Sequence, residues 1–164
     1  MKKKLLWVLV LLTVLFGAVN ICSAKELTVK AERFYTEFCR MAQISYGSKF
    51  CTGSFERTGE GYIFKTVGGF TVKLYTKSPD IELRYAKIYF SVYDKTWDQI
   101  WSALLAFYLA ADNNLDNLTQ SEFEFLQNYI WDITLYLRQN VDFDQIQMYG
   151  GIDKGKLYFT AYGR

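Results

Sequence analysis

The sequence predicts an α+β fold: one antiparallel sheet, a four-strand meander plus a C-terminal hairpin, packed against an N-terminal helix and a helical hairpin. Three observations carry this. Apolar residues recur at three- and four-residue spacing in three stretches. Between and after them run short segments of period-two alternation, several punctuated by glycine pairs. The connections between the central strands are too short for parallel crossovers, so those strands pair antiparallel.

The first helix is expected over about 28–45, where Ala31, Phe34, Tyr35, Phe38, Met41 and Ala42 form one apolar stripe. Tyr46-Gly47-Ser48 ends it. Strands follow at about 50–57, 62–67, 70–76 and 81–93. Gly68-Gly69 reads as a two-residue hairpin turn, since glycine enters positive φ freely. In the third strand Phe70, Val72 and Leu74 share one face, with Thr71, Lys73 and Tyr75 on the other. The fourth slips phase: Ile81, Leu83 and Tyr85 are apolar at odd positions, and Ala86, Ile88, Phe90 and Val92 at even ones. A bulge near Tyr85-Ala86 reconciles the two halves.

Two capping boxes then open helices. Thr96-Trp97-Asp98-Gln99 opens a stripe of Trp97, Ile100, Trp101, Leu104, Leu105, Tyr108 and Leu109, and Thr119-Gln120-Ser121-Glu122 precedes Phe123, Leu126, Ile130, Ile133 and Leu137. Closing strands are expected at about 145–149 and 156–162, joined by the turn-rich segment 150–155. One helix followed by a four-strand meander resembles cystatin-like wrapping, a likeness of element order that spans under half of residues 25–164 and identifies no family.

Residues 1–24 read as a secretory signal, leaving 25–164 as a single α+β domain. Met1-Lys2-Lys3-Lys4 is a positive start, Leu5 to Phe16 an apolar core, and Cys22-Ser23-Ala24 a small-residue cleavage site. A retained anchor is the alternative, but the apolar run falls short of the ~20 residues a spanning helix needs. Lipidation at Cys22 is disfavoured by Ile21 and Asn20 before it. Membrane contact is thus expected only through the signal, before cleavage, and the destination is secreted or periplasmic.

The chain carries 19 basic and 17 acidic residues; three of the lysines lie in the first 24 positions, leaving 16 against 17. A nearly neutral domain has no electrostatic footprint for nucleic acid. Cys39 and Cys51 remain after cleavage, and in an oxidising compartment they are expected to form a disulfide.

Chemistry is narrowed by what is missing. With no histidine and both cysteines oxidised, His-based triads, cysteine nucleophiles and His-containing metal sites are excluded, and no cofactor motif appears. A carboxylate pair drawn from Glu82, Asp94, Asp98 and Asp132 is the remaining hydrolytic option, on glycans for instance. Asp112, Asn114 and Asp116 match positions 1, 3 and 5 of a calcium loop. Position 6 is Asn117 rather than glycine and position 12 is Phe123, so any calcium site would be weak and an Asx-rich turn explains the pattern. Asn117-Leu118-Thr119 matches a glycosylation acceptor.

Tyrosines on the polar faces of strands are the last clue: Tyr75, Tyr89 and Tyr93 fall opposite the apolar phase. Such rings supply rigid amphipathic contact area, although strand propensity alone also accounts for tyrosine there. The expectation is an exported binding protein with a protein or glycan partner, the exported hydrolase and the calcium-stabilised domain being alternatives.

Overall fold

A computed structural model of the chain describes residues 25–46, 50–51, 54–78, 82–112, 119–136 and 146–163. The expected signal, the turn expected around Pro79-Asp80, the helix stop expected at Gly47-Ser48, and Asn114, Asp116 and the Asn117-Leu118 pair lie outside these residues. The expected α+β architecture is present. Helix α1 (Ala31–Tyr46) leads into strands β1 (Glu56–Thr58), β2 (Gly61–Lys65), β3 (Thr71–Thr76) and β4 (Leu83–Phe90). Helices α2 (Trp97–Ala111) and α3 (Gln120–Tyr136) follow, then β5 (Ile146–Asp153) and β6 (Lys156–Gly163).

All strand pairs are antiparallel, in the order β1-β2-β3-β4-β6-β5. The C-terminal hairpin therefore docks through β6 on the last strand of the meander and leaves β5 at the edge. The amino-terminal segment is stitched into the seam: Lys25 and Gly163 exchange two backbone hydrogen bonds of 3.0 Å, and Leu27 and Val29 bond the two sides of Leu83 at 2.7 and 2.9 Å. Leu27 and Val29 are fully buried there.

The helices lie on one face of the sheet. From α1, Phe38 meets Phe64 of β2 at 5.4 Å and Phe34 meets Phe107 of α2 at 5.6 Å. Helix α2 is apolar all round from Ala103 to Ala111 and is buried along that whole length, enclosed by α1, α3 and the sheet. The one-sided stripe expected of it understates this burial. Helix α3 closes the stack: Tyr129 packs on Tyr108 at 5.7 Å, and its hydroxyl accepts the Met148 N–H of edge strand β5 at 3.1 Å. Both capping boxes form, through Thr96–Gln99 and Thr119–Glu122. Cys39 and Cys51 are disulfide-bonded, with Cα atoms 5.6 Å apart. Beside them the Phe50 carbonyl accepts the Val67 N–H at 2.9 Å, so the bridge ties α1 to the tip of the β2–β3 hairpin.

Four local expectations shift. Strand β1 is only three residues long, and Phe50 is buried in the core outside it. The β2–β3 loop is a three-residue turn in which Gly69 alone has positive φ (74°) and donates to Thr66 O at 3.0 Å. The phase slip of β4 falls between Leu83 and Tyr85: Thr76 faces Leu83 while Tyr75 faces Tyr85, leaving Arg84 as the extra residue. Finally, β5 and β6 run through Gly150-Gly151 to a tight turn at Lys154-Gly155, whose φ values of 49° and 76° fit a type I′ hairpin.

Candidate binding face of the sheet

Period-two alternation sends one set of side chains in β2–β6 toward the helices and the other away from them. The inward set is Phe64, Val72, Leu74, Ala86, Ile88, Phe90, Met148, Phe159 and Ala161, all buried. The outward set is built from tyrosine and lysine. Strand register arranges it in three rows across the sheet. Tyr75 faces Tyr85, and Tyr162 follows; Lys73 faces Lys87, then Thr160 and Tyr149; Thr71 faces Tyr89, then Tyr158 and Gly151.

The rings touch their neighbours across strands. Tyr75 and Tyr85 stack at 4.3 Å, Tyr85 meets Tyr162 at 5.4 Å, Tyr162 meets Tyr149 at 6.1 Å, and Tyr89 meets Tyr158 at 5.9 Å. The two lysines thread between them. The Lys73 ammonium lies 5.5 Å from the Tyr89 ring, and Lys87 lies 5.8 Å from Tyr85 and 5.1 Å from Tyr158. Under this canopy Thr160 and Gln147 are polar yet only 3% and 4% exposed, and the Tyr149 hydroxyl donates to Gln147 Oε1 at 3.1 Å. Among the described residues no buried side-chain nitrogen or oxygen lacks a hydrogen-bond partner.

Burial raises the phenols. Tyr75 is pushed well above the ordinary tyrosine range, first by desolvation and then by its hydrogen bond with Tyr89 and by nearby Tyr85 and Glu60. Tyr85 and Tyr162 move the same way, again mainly by desolvation. At neutral pH these hydroxyls are therefore protonated and able to donate. A groove of about 310 Å³ adjoins the face at its β1–β2 margin, between Thr58, Glu60, Ile63, Lys73 and Tyr75.

Tyr75 and Tyr89 thus lie together on this face. Tyr93 does not join them: β4 ends at Phe90, and Tyr93 stands 93% exposed in the loop before α2. Sequence reasoning missed Tyr85, Tyr149, Tyr158, Tyr162 and both lysines. The alternation Tyr85-Lys87-Tyr89 and Tyr158-Thr160-Tyr162 was a usable signal for most of them.

The remaining candidates lie elsewhere on the chain. Glu82 and Asp94 lie beyond opposite ends of β4, whose eight residues span about 25 Å, more than twice the ~5–10 Å that separates a glycosidase carboxylate pair. Asp94 pairs with Lys95 at 2.9 Å, and this hydrogen bond holds its carboxyl below the usual range, opposite to what a general acid needs. Asp98 is exposed in the first turn of α2, and Asp132 lies on α3. Asp112 is buried and closes α2, its N–H donating to Tyr108 O at 2.9 Å. No cluster of three metal-ligating side chains occurs among the described residues, and no described helix is long and apolar enough to cross a membrane. A smaller exposed aromatic pair, Trp97 and Trp131, lies on the helical layer with rings 5.9 Å apart.

Compared with protein families, with curated proteins and with solved structures, the chain matches none.

Proposed function

We propose that this is an exported binding protein that receives a protein partner on the outer face of its sheet. The observation that carries the reading is the continuous tyrosine–lysine surface on β3, β4, β6 and β5, left on the side opposite all three helices. Tyrosine rings already locked against one another lose little entropy on binding, which is what makes such residues effective contact anchors. Export rests on the charged and apolar character of residues 1–24 and on the Cys39–Cys51 bridge. Cleavage after Ala24 would keep Lys25, and with it the backbone ladder to Gly163.

The helical hairpin is the second reading, favoured by Trp97 and Trp131, 54% and 49% exposed. A photo-crosslinking amino acid placed at Tyr149 or at Trp131, in the source cells, separates the two. The sheet reading expects one discrete protein adduct from position 149 and none from 131. Adducts from 131 alone, or none from 149, would refute it.

A further inference from the structure

Lys73 and Lys87 are direct partners across β3 and β4. Like charges at facing positions of an antiparallel pair repel and destabilise the sheet. Among the described residues neither lysine has a carboxylate partner: the ion pairs there are Arg40–Glu37, Lys77–Glu26 and Lys95–Asp94. The acids nearest this face, Glu56 and Glu60, sit at its β1 margin, with Glu56 accepting a hydrogen bond from Ser54. What surrounds the lysines is phenol: Tyr85, Tyr89 and Tyr158 lie beside their ammonium groups. Two half-buried cations are thereby held side by side, with hydroxyl donors around them and no negative charge between them.

From this we infer that the Lys73–Lys87 pair is the docking point for a carboxylate-bearing stretch of the partner protein, a segment rich in Asp and Glu. The inference rests on the sheet-face reading and adds the partner's chemistry. Carboxylates complement the site in both respects. They supply the missing charge, and their oxygens accept from the ammonium groups and from the protonated phenols. An anionic glycan fits less well. Sugar rings bind aromatic side chains through exposed ring faces, whereas Tyr75 and Tyr85 spend their faces on each other at 22° between planes. The face presents charge and hydroxyl groups more than open platforms.

The test uses fluorescein-labelled decaglutamate as probe, read by anisotropy, with decagalacturonate as the glycan arm. Variants are Lys73→Met with Lys87→Met, which keeps an unbranched apolar stem without the charge, and Lys154→Met with Lys156→Met at the β5–β6 turn as a control. Each partly exposed lysine–carboxylate contact is worth about a three- to fivefold change in affinity, so losing both weakens decaglutamate binding by about tenfold or more. Raising salt weakens wild-type binding, and the control pair does not. The first substitution gives up the ring contacts of both ammonium groups together with their mutual repulsion, so the two effects oppose each other and circular dichroism is expected to show a wild-type fold.

Undiminished binding in the Lys73/Lys87 variant overturns the inference. So does tighter binding of decagalacturonate than of decaglutamate. If decaglutamate does not bind while position 149 still crosslinks a protein, the acidic partner is rejected and the sheet face stands. If both fail, both readings fall.

Discussion

Gly151 is the position where the tyrosine face is most exposed to a single methyl group. It lies directly across from Tyr158, and a Cβ placed on it would come 2.5 Å from the Tyr158 hydroxyl oxygen and 2.6 Å from Cζ. Ordinary contact is about 3.5–4 Å, so in Gly151→Ala the ring must swing aside by about 1 Å or more. Leaving its rotamer costs about 0.5–1.5 kcal/mol, and losing its approach to Lys87 costs about 0.5–1 kcal/mol. Against this, alanine is better than glycine in a strand by roughly 0.5–1 kcal/mol. Gly151→Ala is therefore expected to destabilise the protein by about 1 kcal/mol. With Tyr158→Ala the obstacle is gone, and the same Gly151→Ala change becomes stabilising by about 0.5 kcal/mol. Urea unfolding of the four proteins in a double-mutant cycle reads both effects. A change of the same sign and size in both backgrounds would show that Tyr158 does not lie over Gly151, and the row Tyr89–Tyr158–Gly151 would have to be abandoned.

Three further outcomes are expected. Replacing Cys39 and Cys51 together by serine opens a loop of 12 residues' separation and lowers stability by about 3 kcal/mol on the chain-entropy estimate, measured as a fall in urea midpoint; a loss under 0.5 kcal/mol contradicts the tie between α1 and the β2–β3 tip. The raised phenols of Tyr75, Tyr85 and Tyr162 make the folded state hold protons that the unfolded chain releases near pH 10. Their contribution is complete below about pH 10 and is lost as pH climbs beyond it, so the urea midpoint drops there while a late group of tyrosines lags in phenolate absorbance; a midpoint flat across that range is the contrary result. Compared with a chain beginning at Lys25, one beginning at Lys30 loses buried Leu27 and Val29 and about 4 kcal/mol of stability, checked by calorimetry; equal melting temperatures would mean the amino-terminal segment contributes nothing.

Local patterns were legible wherever one residue's neighbours along the chain decide its place. Val72 and Leu74 pointed inward as their alternation required, and Thr96 and Thr119 capped their helices because the donor–acceptor spacing lies within four residues. Tyr85 was assigned to the wrong face because a bulge shifts phase wherever it sits, and the apolar pattern alone does not separate Arg84 from the next two positions. Gly150-Gly151 read as a turn for an understandable reason: glycine pairs punctuate chains far more often than they line strands. Here the missing side chain makes room for Tyr158, a partner seven residues away that only the pairing reveals. The candidate face itself needed the β4–β6 contact, since it brings Lys87 beside Tyr158 and Tyr85 beside Tyr162. That contact crosses two helices in sequence, and no local period encodes it.

Reductive methylation of lysines compares the protein in its native surroundings with the same protein after purification. With the outer sheet face covered by a partner, Lys73 and Lys87 are protected in place and become reactive once isolated, while exposed Lys30 and Lys154 react equally in both. Equal reactivity of Lys73 and Lys87 before and after isolation would contradict a partner on that face.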